Sequence, residues 1–251
     1  MMADESWRVA RLPLGARLLG KVMGLGYRLT GLHRYDDFRL ERVHGAPFLV
    51  IPSVSNPKLL RSGEFFAAHI NSRLVHHEAA VLDMGTGSGV CAVFAAHYAQ
   101  RVVAVDINPA AVRCAAINTL LNNLDHKIDV RQGDLFAPLN GERFDLVLFN
   151  PPFWRGAPRD HRDQAWRSSD AAERFAADLA AHLKPGGAAL VLLSTFGDCG
   201  AFLREFRNHG FEISVHAERR FVNERLTLFR VVPATRVVPA TRLVPAAGSP
   251  A

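Results

Sequence analysis

Hydrophobic positions between residues 81 and 209 fall in short unbroken runs that alternate with longer amphipathic segments. The runs predicted to be strands are 81–84, 102–105, 128–130, 144–149 and 188–193, and the segments predicted to be helices are 90–99, 109–122, 171–183 and 199–209. Strands that are joined by such helices pair in parallel and are buried on both faces of their sheet. The pattern therefore predicts an α/β fold with a doubly wound, Rossmann-like sheet.

Two further apolar segments, 212–217 and 225–232, follow the last of these helices with no helix between them. Consecutive strands joined by a short connection pair in the antiparallel direction. We therefore expect a mostly parallel sheet that finishes in an antiparallel hairpin at one end.

The residues before this core predict an N-terminal α+β extension. Five aliphatic residues fall on one stripe of a helix over 9–31: Leu14, Leu18, Val22, Leu25 and Leu29. Segments 38–40 and 48–51 flank a turn that contains Gly45 and Pro47, which predicts a hairpin, and a helix over 62–76 follows. We expect an extension at 1–75, a core domain at 76–232 that carries the chemistry, and a tail at 233–251.

The tail repeats a six-residue unit, VVPATR, at 231–236 and 237–242, and in part at 243–246. Each unit contains one proline, which lacks a backbone donor and fixes φ, so an interior strand is disfavoured. Residues 233–251 are therefore predicted to be a disordered or extended tail.

The composition is typical of a globular protein of the reducing cytoplasm. Hydrophobic residues make up 49% of the chain, and the three cysteines are far apart and lack the spacing of metal ligands. Residues 1–8 have no basic region typical of a secretory signal, and no run of 18 apolar residues predicts a membrane span.

The net charge of +6 is concentrated outside the core. Residues 1–75 carry +5, residues 76–230 carry −1 and residues 231–251 carry +2. A basic extension can contact RNA phosphates or an acidic protein surface. A general preference for arginine explains the excess equally well, because only 4 of the 30 basic residues are lysine.

A glycine-rich turn joins the first strand of the core to its first helix, with the sequence Asp83-Met84-Gly85-Thr86-Gly87-Ser88-Gly89. Such a turn lets a ligand approach the backbone closely. Asp106 ends the next strand, where a carboxylate can accept both hydroxyl hydrogens of a ribose. Together they predict a cofactor that contains a nucleoside.

The details of the motif favour S-adenosylmethionine over a dinucleotide. A dinucleotide fingerprint places a glycine at position 90, where this chain has Val90. S-adenosylmethionine carries an ammonium and a sulfonium instead of a pyrophosphate, and Asp83 is an acid in a suitable place. Asp134 and Leu135 follow the third strand, where a carboxylate can accept a hydrogen bond from the adenine amino group.

The fourth strand ends in Asn150-Pro151-Pro152-Phe153, the predicted catalytic motif. The lone pair of an amide or exocyclic amine nitrogen is delocalised, so such a nitrogen is a poor nucleophile. The side-chain oxygen of Asn150 and the carbonyl of Pro151 can each accept one N–H, while the prolines fix the turn. Phe153 can stack on the flat acceptor group. We therefore predict methyl transfer to a planar nitrogen without a separate general base.

Residues 81–153 resemble class I S-adenosylmethionine-dependent methyltransferases of the small-domain type. This group includes release-factor glutamine N5-methyltransferases and methyltransferases of rRNA and tRNA amines. The resemblance lies in VLDMGTGSG (81–89), AVDINPAAVRCAAIN (104–118), GDLF (133–136), FDLVLFNPPF (144–153) and KPGG (184–187). It implies a seven-stranded sheet with an antiparallel last strand. It also implies contacts to the cofactor or the acceptor from Asp83, Gly85, Gly87, Asp106, Asp134 and Asn150.

The acceptor is less clearly indicated by the sequence. Glutamine methyltransferases usually have tyrosine where this chain has Phe153, and segment 51–57 only loosely resembles the family segment that closes over the cofactor. The loop at 154–169 contains two tryptophans and four arginines, which suit stacking on bases, contact with phosphate or contact with acidic protein residues: Trp154, Trp166, Arg155, Arg159, Arg162 and Arg167.

The leading hypothesis is an S-adenosylmethionine-dependent N-methyltransferase of a macromolecule, either an RNA base or a protein glutamine. Its predicted cofactor-binding residues are Asp83, Gly85, Thr86, Gly87, Gly89, Asp106, Asp134, Leu135 and Asn150. The alternatives are a methyltransferase of a small-molecule nitrogen, a nicotinamide-dependent oxidoreductase and a catalytically silent binding module. No metal site is predicted.

Overall fold

The computed structural model describes residues 37–152, 154–157 and 167–234. Its main element is a seven-stranded sheet in the order β10-β11-β9-β6-β3-β4-β5. These strands are β3 (Ala80–Met84), β4 (Arg101–Asp106), β5 (Ile128–Gln132), β6 (Phe144–Phe149), β9 (Leu183–Ser194), β10 (Phe211–Arg220) and β11 (Arg225–Pro233). Two short pairs, β1 (Arg39–Val43) with β2 (Ala46–Val50) and β7 (Trp154–Arg155) with β8 (Arg167–Ser168), lie outside it.

The longer helices connect successive strands of the main sheet. They are α2 (Val90–Ala96), α3 (Pro109–Leu121), α4 (Ala171–Leu179) and α5 (Cys199–Asn208), and a short helix α1 (Ser62–Ala67) precedes the sheet. Asn108 caps α3 by accepting a hydrogen bond from the Ala110 N–H at 2.9 Å, and Pro109 occupies the first helical position.

The central strands are buried on both faces. All five residues of β3 are buried, including Leu82 and Asp83, and Leu148 in β6 has no exposed surface. One apolar cluster fills the side of the sheet under α2, and a second fills the side under α4 and α5. The predicted doubly wound α/β sheet is confirmed, and the carboxyl ends of β3, β4, β5 and β6 point to one edge.

The last strand, β11, is antiparallel to both of its neighbours, β9 and β10. The predicted antiparallel hairpin is therefore confirmed, and β11 lies inside the sheet while β10 forms its edge. A bulge between Val215 and Ala217 interrupts the pairing of β10 with β11.

The predicted N-terminal hairpin is also confirmed, with a tighter turn at His44 and Gly45. It is held on α3 by Asn118, whose Oδ1 accepts from the Leu49 N–H at 2.7 Å and whose Nδ2 donates to the Leu49 carbonyl at 2.8 Å. Asn118 has no exposed surface, so this pair of bonds fixes the hairpin to the core.

The predicted helix over 62–76 is wrong in length, because α1 ends at Ala67. Asn71 Oδ1 accepts hydrogen bonds from the N–H groups of Arg73 and Leu74, at 3.0 and 3.3 Å. An asparagine side chain that binds the backbone two and three residues ahead offers the chain a turn in place of another helical turn.

The predicted helix over 9–31 and the repeats after residue 234 lie outside the described residues. Within the described part of the chain, no helix has the length and apolar character that crossing a membrane requires.

Candidate functional site

A cavity of about 420 Å³ opens at the carboxyl ends of β3, β4, β5 and β6. Ligands of open α/β sheets bind at this edge, and a volume between about 300 and 1,000 Å³ is usual for a small-molecule site. Residues that line the cavity come from six segments of the chain: 84–90, 105–111, 133–135, 149–152, 53–63 and 167–174. The cavity therefore joins the predicted cofactor motifs to the predicted catalytic motif.

The glycine-rich turn forms one wall of the cavity. Gly85 and Gly87 line it with φ of 65° and 57°, conformations that favour glycine, and Thr86 lies between them. Gly89 was predicted to contact the cofactor but is not among the residues that line the cavity. A Cβ atom at Gly89 would lie 3.2 Å from the Cα of Ala115, so this glycine lets α2 pack closely on α3.

Asp106 lies where its carboxylate can receive a ribose. Its Oδ2 accepts from the Gly87 N–H and its Oδ1 from the Asn108 N–H, both at 2.9 Å. Each oxygen keeps a second lone pair for a hydroxyl hydrogen. Burial raises the pKa of Asp106 and the backbone donors lower it in part.

Asp83 is buried behind the glycine-rich turn and is not among the residues that line the cavity. Its Oδ2 accepts from the Thr86 hydroxyl at 2.6 Å and from the Ala92 N–H at 2.9 Å. Asp83 therefore ties the turn to the first residues of α2, whereas the sequence suggested that it faces the cofactor's ammonium. Burial raises the pKa of Asp83 to about 7, and these two hydrogen bonds offset part of the rise.

We expect Asp83→Asn to stabilise the protein more at pH 8.5 than at pH 5.5. The folded-state pKa of about 7 exceeds the ordinary aspartate pKa of 3.8, so the folded state binds more protons between these values. The contribution of Asp83 to stability therefore falls as the pH rises towards 7, by on the order of 1 kcal/mol per pH unit. Thermal unfolding of both proteins across pH 5.5–8.5 measures this, and a constant difference in Tm would contradict it.

Asp134 and Leu135 line the next part of the cavity, beyond the end of β5. The Oδ2 of Asp134 accepts from Arg174 Nη1 of α4 at 2.8 Å, and both side chains are 44% exposed. Leu135 has a φ of 49°, which is rare for a branched side chain and fixes a sharp turn of the backbone. Arg174 thus holds the carboxylate that was predicted to accept from adenine.

Asn150, Pro151 and Pro152 line the cavity directly after β6. The Nδ2 of Asn150 donates to the hydroxyl of Ser62 at 3.4 Å. The Oδ1 of Asn150 is buried and has no hydrogen-bond partner among the described residues. A buried amide oxygen without a donor is costly, so the site is suited to a ligand that brings an N–H. Phe153 lies outside the described residues, and its predicted stacking role stays a prediction.

The far side of the cavity is lined by Arg167, Ser168, Ser169 and Asp170, at the beginning of α4. Trp154 is 43% exposed beside this rim, and the guanidinium of Arg167 lies 6.0 Å from the centre of its ring. Arg155, on the same short strand as Trp154, is paired with Glu173. The other residues proposed for acceptor binding, Trp166, Arg159 and Arg162, lie outside the described residues.

Two parts of the cavity were not predicted from the sequence as site residues. Residues of segment 53–63, among them Ser53 and Ser62, form the wall opposite the core motifs, and Arg174 reaches the cavity from α4. The only sequence signal for segment 53–63 was the loose resemblance of residues 51–57 to the family segment that closes over the cofactor. The salt bridge between Asp134 and Arg174 joins residues 40 positions apart, so no local sequence pattern predicts it.

The model of the methyltransferase small domain family matches residues 54–218, which include nearly all of the cavity lining, five complete strands of the main sheet and most of β10. The chain belongs to the methyltransferase small domain family. This confirms the resemblance seen in the motifs at 81–153. The match begins within segment 53–63, so this wall of the cavity is part of the family domain.

Among its relatives, this small domain is 34% identical over 167 residues to the ribosomal protein uL3 glutamine methyltransferase of Bradyrhizobium diazoefficiens, covering 58% of this chain and 52% of that protein. It is 33% identical over 195 residues to the release factor glutamine methyltransferase of Moorella thermoacetica, covering 72% of this chain and 66% of that protein. The chain thus spans about half to two thirds of the length of these relatives.

A solved structure with a similar fold is the T. thermophilus 16S rRNA N2 methyltransferase in complex with AdoMet and guanosine. The two folds superpose with a TM-score of 0.57 at 23% identity, over 77% of this chain and 49% of that one. This likeness confirms the Rossmann-like methyltransferase fold.

Proposed function

We propose that the chain is an S-adenosylmethionine-dependent N-methyltransferase that acts on a planar amide or exocyclic amine nitrogen of a macromolecule. The observation that carries the proposal is the buried and unpartnered Oδ1 of Asn150 in a cavity that also contains Asp106 and the glycine-rich turn. Names of relatives support it, because they include methyltransferases of protein glutamine and of ribosomal RNA.

The residues of the cavity fit this cofactor. The Asp106 carboxylate would accept from the ribose hydroxyls, and Asp134 would accept from the adenine amino group beside Leu135. The glycine-rich turn would lie against the amino-acid part. When bound, S-adenosylmethionine supplies a methyl group on a positively charged sulfur, and transfer of that methyl to nitrogen leaves S-adenosylhomocysteine and one proton.

The work of the protein is then to orient a weak nucleophile. Asn150 Oδ1 and the Pro151 carbonyl would each accept one N–H of the planar NH₂ group and direct its nitrogen lone pair at the methyl. Alignment of reacting atoms by fixed groups of this kind can supply a large share of a rate enhancement. No side chain is needed to remove a proton beforehand, since the methylated nitrogen becomes acidic and can release its proton to water.

Transfer of a labelled methyl group into a cell extract tests the proposal. The full-length protein is incubated with S-adenosylmethionine labelled in its methyl group and with extract treated with RNase, with protease or with neither. We expect label in a macromolecular fraction that one of the two treatments removes. Label in small molecules alone would contradict a macromolecular acceptor, and saturable binding of NADH without binding of S-adenosylmethionine would contradict methyl transfer.

A further inference from the structure

The first residue of α1, Ser62, contacts the predicted catalytic asparagine although it lies 88 positions earlier in the chain. We propose that Ser62 is a positioning residue for methyl transfer, which holds the Nδ2 of Asn150 and thereby turns its Oδ1 towards the acceptor nitrogen. The inference rests on the proposed function, because the acceptor nitrogen is that of the methylated NH₂ group.

The need for a positioning residue follows from the chemistry of an amide side chain. Asparagine has an acceptor end and a donor end of almost the same shape. Only the oxygen end can accept a hydrogen bond from the N–H of a planar NH₂ group. If the NH₂ end of asparagine faced the acceptor instead, two donors would face each other and no hydrogen bond would form. In the structure Asn150 Nδ2 faces Ser62 Oγ, which corresponds to the first arrangement, and Oδ1 is buried without a hydrogen-bond partner among the described residues.

Ser62 is itself held firmly at the start of α1. Its side chain is buried, at 2% exposure, and Asn150 is its hydrogen-bond partner among the described residues. On one side, the guanidinium of Arg61 stacks 4.7 Å from the centre of the Phe221 ring. On the other side, a Cβ atom at Gly63 would lie 2.9 Å from the Cβ of Pro57, so the backbone here packs closely on its own segment.

The distance between Asn150 Nδ2 and Ser62 Oγ is 3.4 Å, at the long end for a hydrogen bond. Catalytic contacts are often long before ligands bind and shorten in the complex. One neutral hydrogen bond contributes about 1 kcal/mol, which corresponds to roughly a five- to tenfold change in the population of a side chain held in one position. We therefore expect loss of the Ser62 hydroxyl to lower the rate of methyl transfer by about tenfold.

Kinetics of matched hydroxyl variants test the proposal. The acceptor probes are N-acetylglutamine amide and guanosine at saturating concentration, and affinity for S-adenosylhomocysteine is measured by calorimetry. Ser62→Ala should lower kcat about tenfold with an unchanged Kd, whereas Ser62→Thr, which keeps a hydroxyl, should recover most of the rate. Thr119→Val is the control, since it removes a buried hydroxyl that donates to Ala116 on α3 and lies outside the cavity.

An unchanged kcat in Ser62→Ala, or a loss in Ser62→Thr as large as the loss in Ser62→Ala, would overturn the proposal.

A spectroscopic measurement separates failure of this inference from failure of the proposed function. The side-chain amide signal of Asn150 in ¹⁵N spectra is identified by its loss in Asn150→Ala. We expect Ser62→Ala to shift this signal and to speed its exchange with water, while Thr119→Val leaves it unchanged. If wild type binds S-adenosylhomocysteine but methylates nothing, the proposed function fails and this signal still tests the contact. An unmoved signal in Ser62→Ala overturns the role of Ser62.

Discussion

Asn150→Ala is expected to reduce methyl transfer by about 100- to 1,000-fold while leaving affinity for S-adenosylhomocysteine within about threefold of wild type. The substitution removes Oδ1, the buried acceptor that has no partner among the described residues. It leaves intact the ribose site at Asp106, whose hydrogen bonds come from Gly87 and Asn108. Single-turnover transfer of labelled methyl, together with calorimetry of S-adenosylhomocysteine, measures the two effects separately.

Asn122→Ala is the matched control for this experiment. The side-chain amide of Asn122 donates to the carbonyls of Pro47 on β2 and Asn118 on α3. Asn122 is not among the residues that line the cavity. We expect it to lower stability and to leave turnover per folded molecule unchanged. If Asn150→Ala turned over as fast as wild type, the proposed role of Asn150 in methyl transfer to nitrogen would be wrong.

Asp106→Ala is expected to weaken binding of S-adenosylmethionine by about 100-fold, with a smaller effect on the rate at saturating cofactor. The change removes the acceptor for the ribose hydroxyls and also leaves the N–H groups of Gly87 and Asn108 without their partner. Loss of a charged hydrogen-bond acceptor costs about 1.5–3 kcal/mol, which corresponds to roughly 10- to 150-fold in affinity. Calorimetric titration measures it directly.

Asp129→Ala controls for the loss of a strand carboxylate. Asp129 lies on β5, is 59% exposed and pairs with Arg131 away from the cavity. It should bind cofactor as wild type does. An affinity of Asp106→Ala within threefold of wild type would show that the ribose site lies elsewhere.

The sequence predicted best those features that depend on neighbouring residues. The order of strands and helices follows from runs of apolar residues, and the capped start of α3 follows from Asn108 and Pro109. The cavity position of Asp106, Asp134 and Asn150 follows from their places just after buried parallel strands, because such ends share one edge of the sheet.

What the sequence did not predict depends on contacts between distant segments. Ser62 reaches Asn150 from segment 53–63, which follows the hairpin β1–β2 that Asn118 fixes to α3. Asp83 was expected to face the cofactor, but it is not among the residues that line the cavity, and its Oδ2 accepts from the Ala92 N–H of α2. The end of α1 at Ala67 depends on a side chain, Asn71, whose turn competes with the helix.

The internal position of β11 has a consequence for how the protein is synthesised. A chain leaves the ribosome from its N-terminus, and its elements can begin to fold in that order. All the described residues that line the cavity precede position 175, so these walls are synthesised before β11. Strand β10, however, pairs in the sheet only with β11, so β10 joins the sheet only after β11 has been synthesised. The nascent chain can therefore assemble the walls of this cavity while its sheet still ends at β9, and translation up to about Pro233 supplies the last two strands.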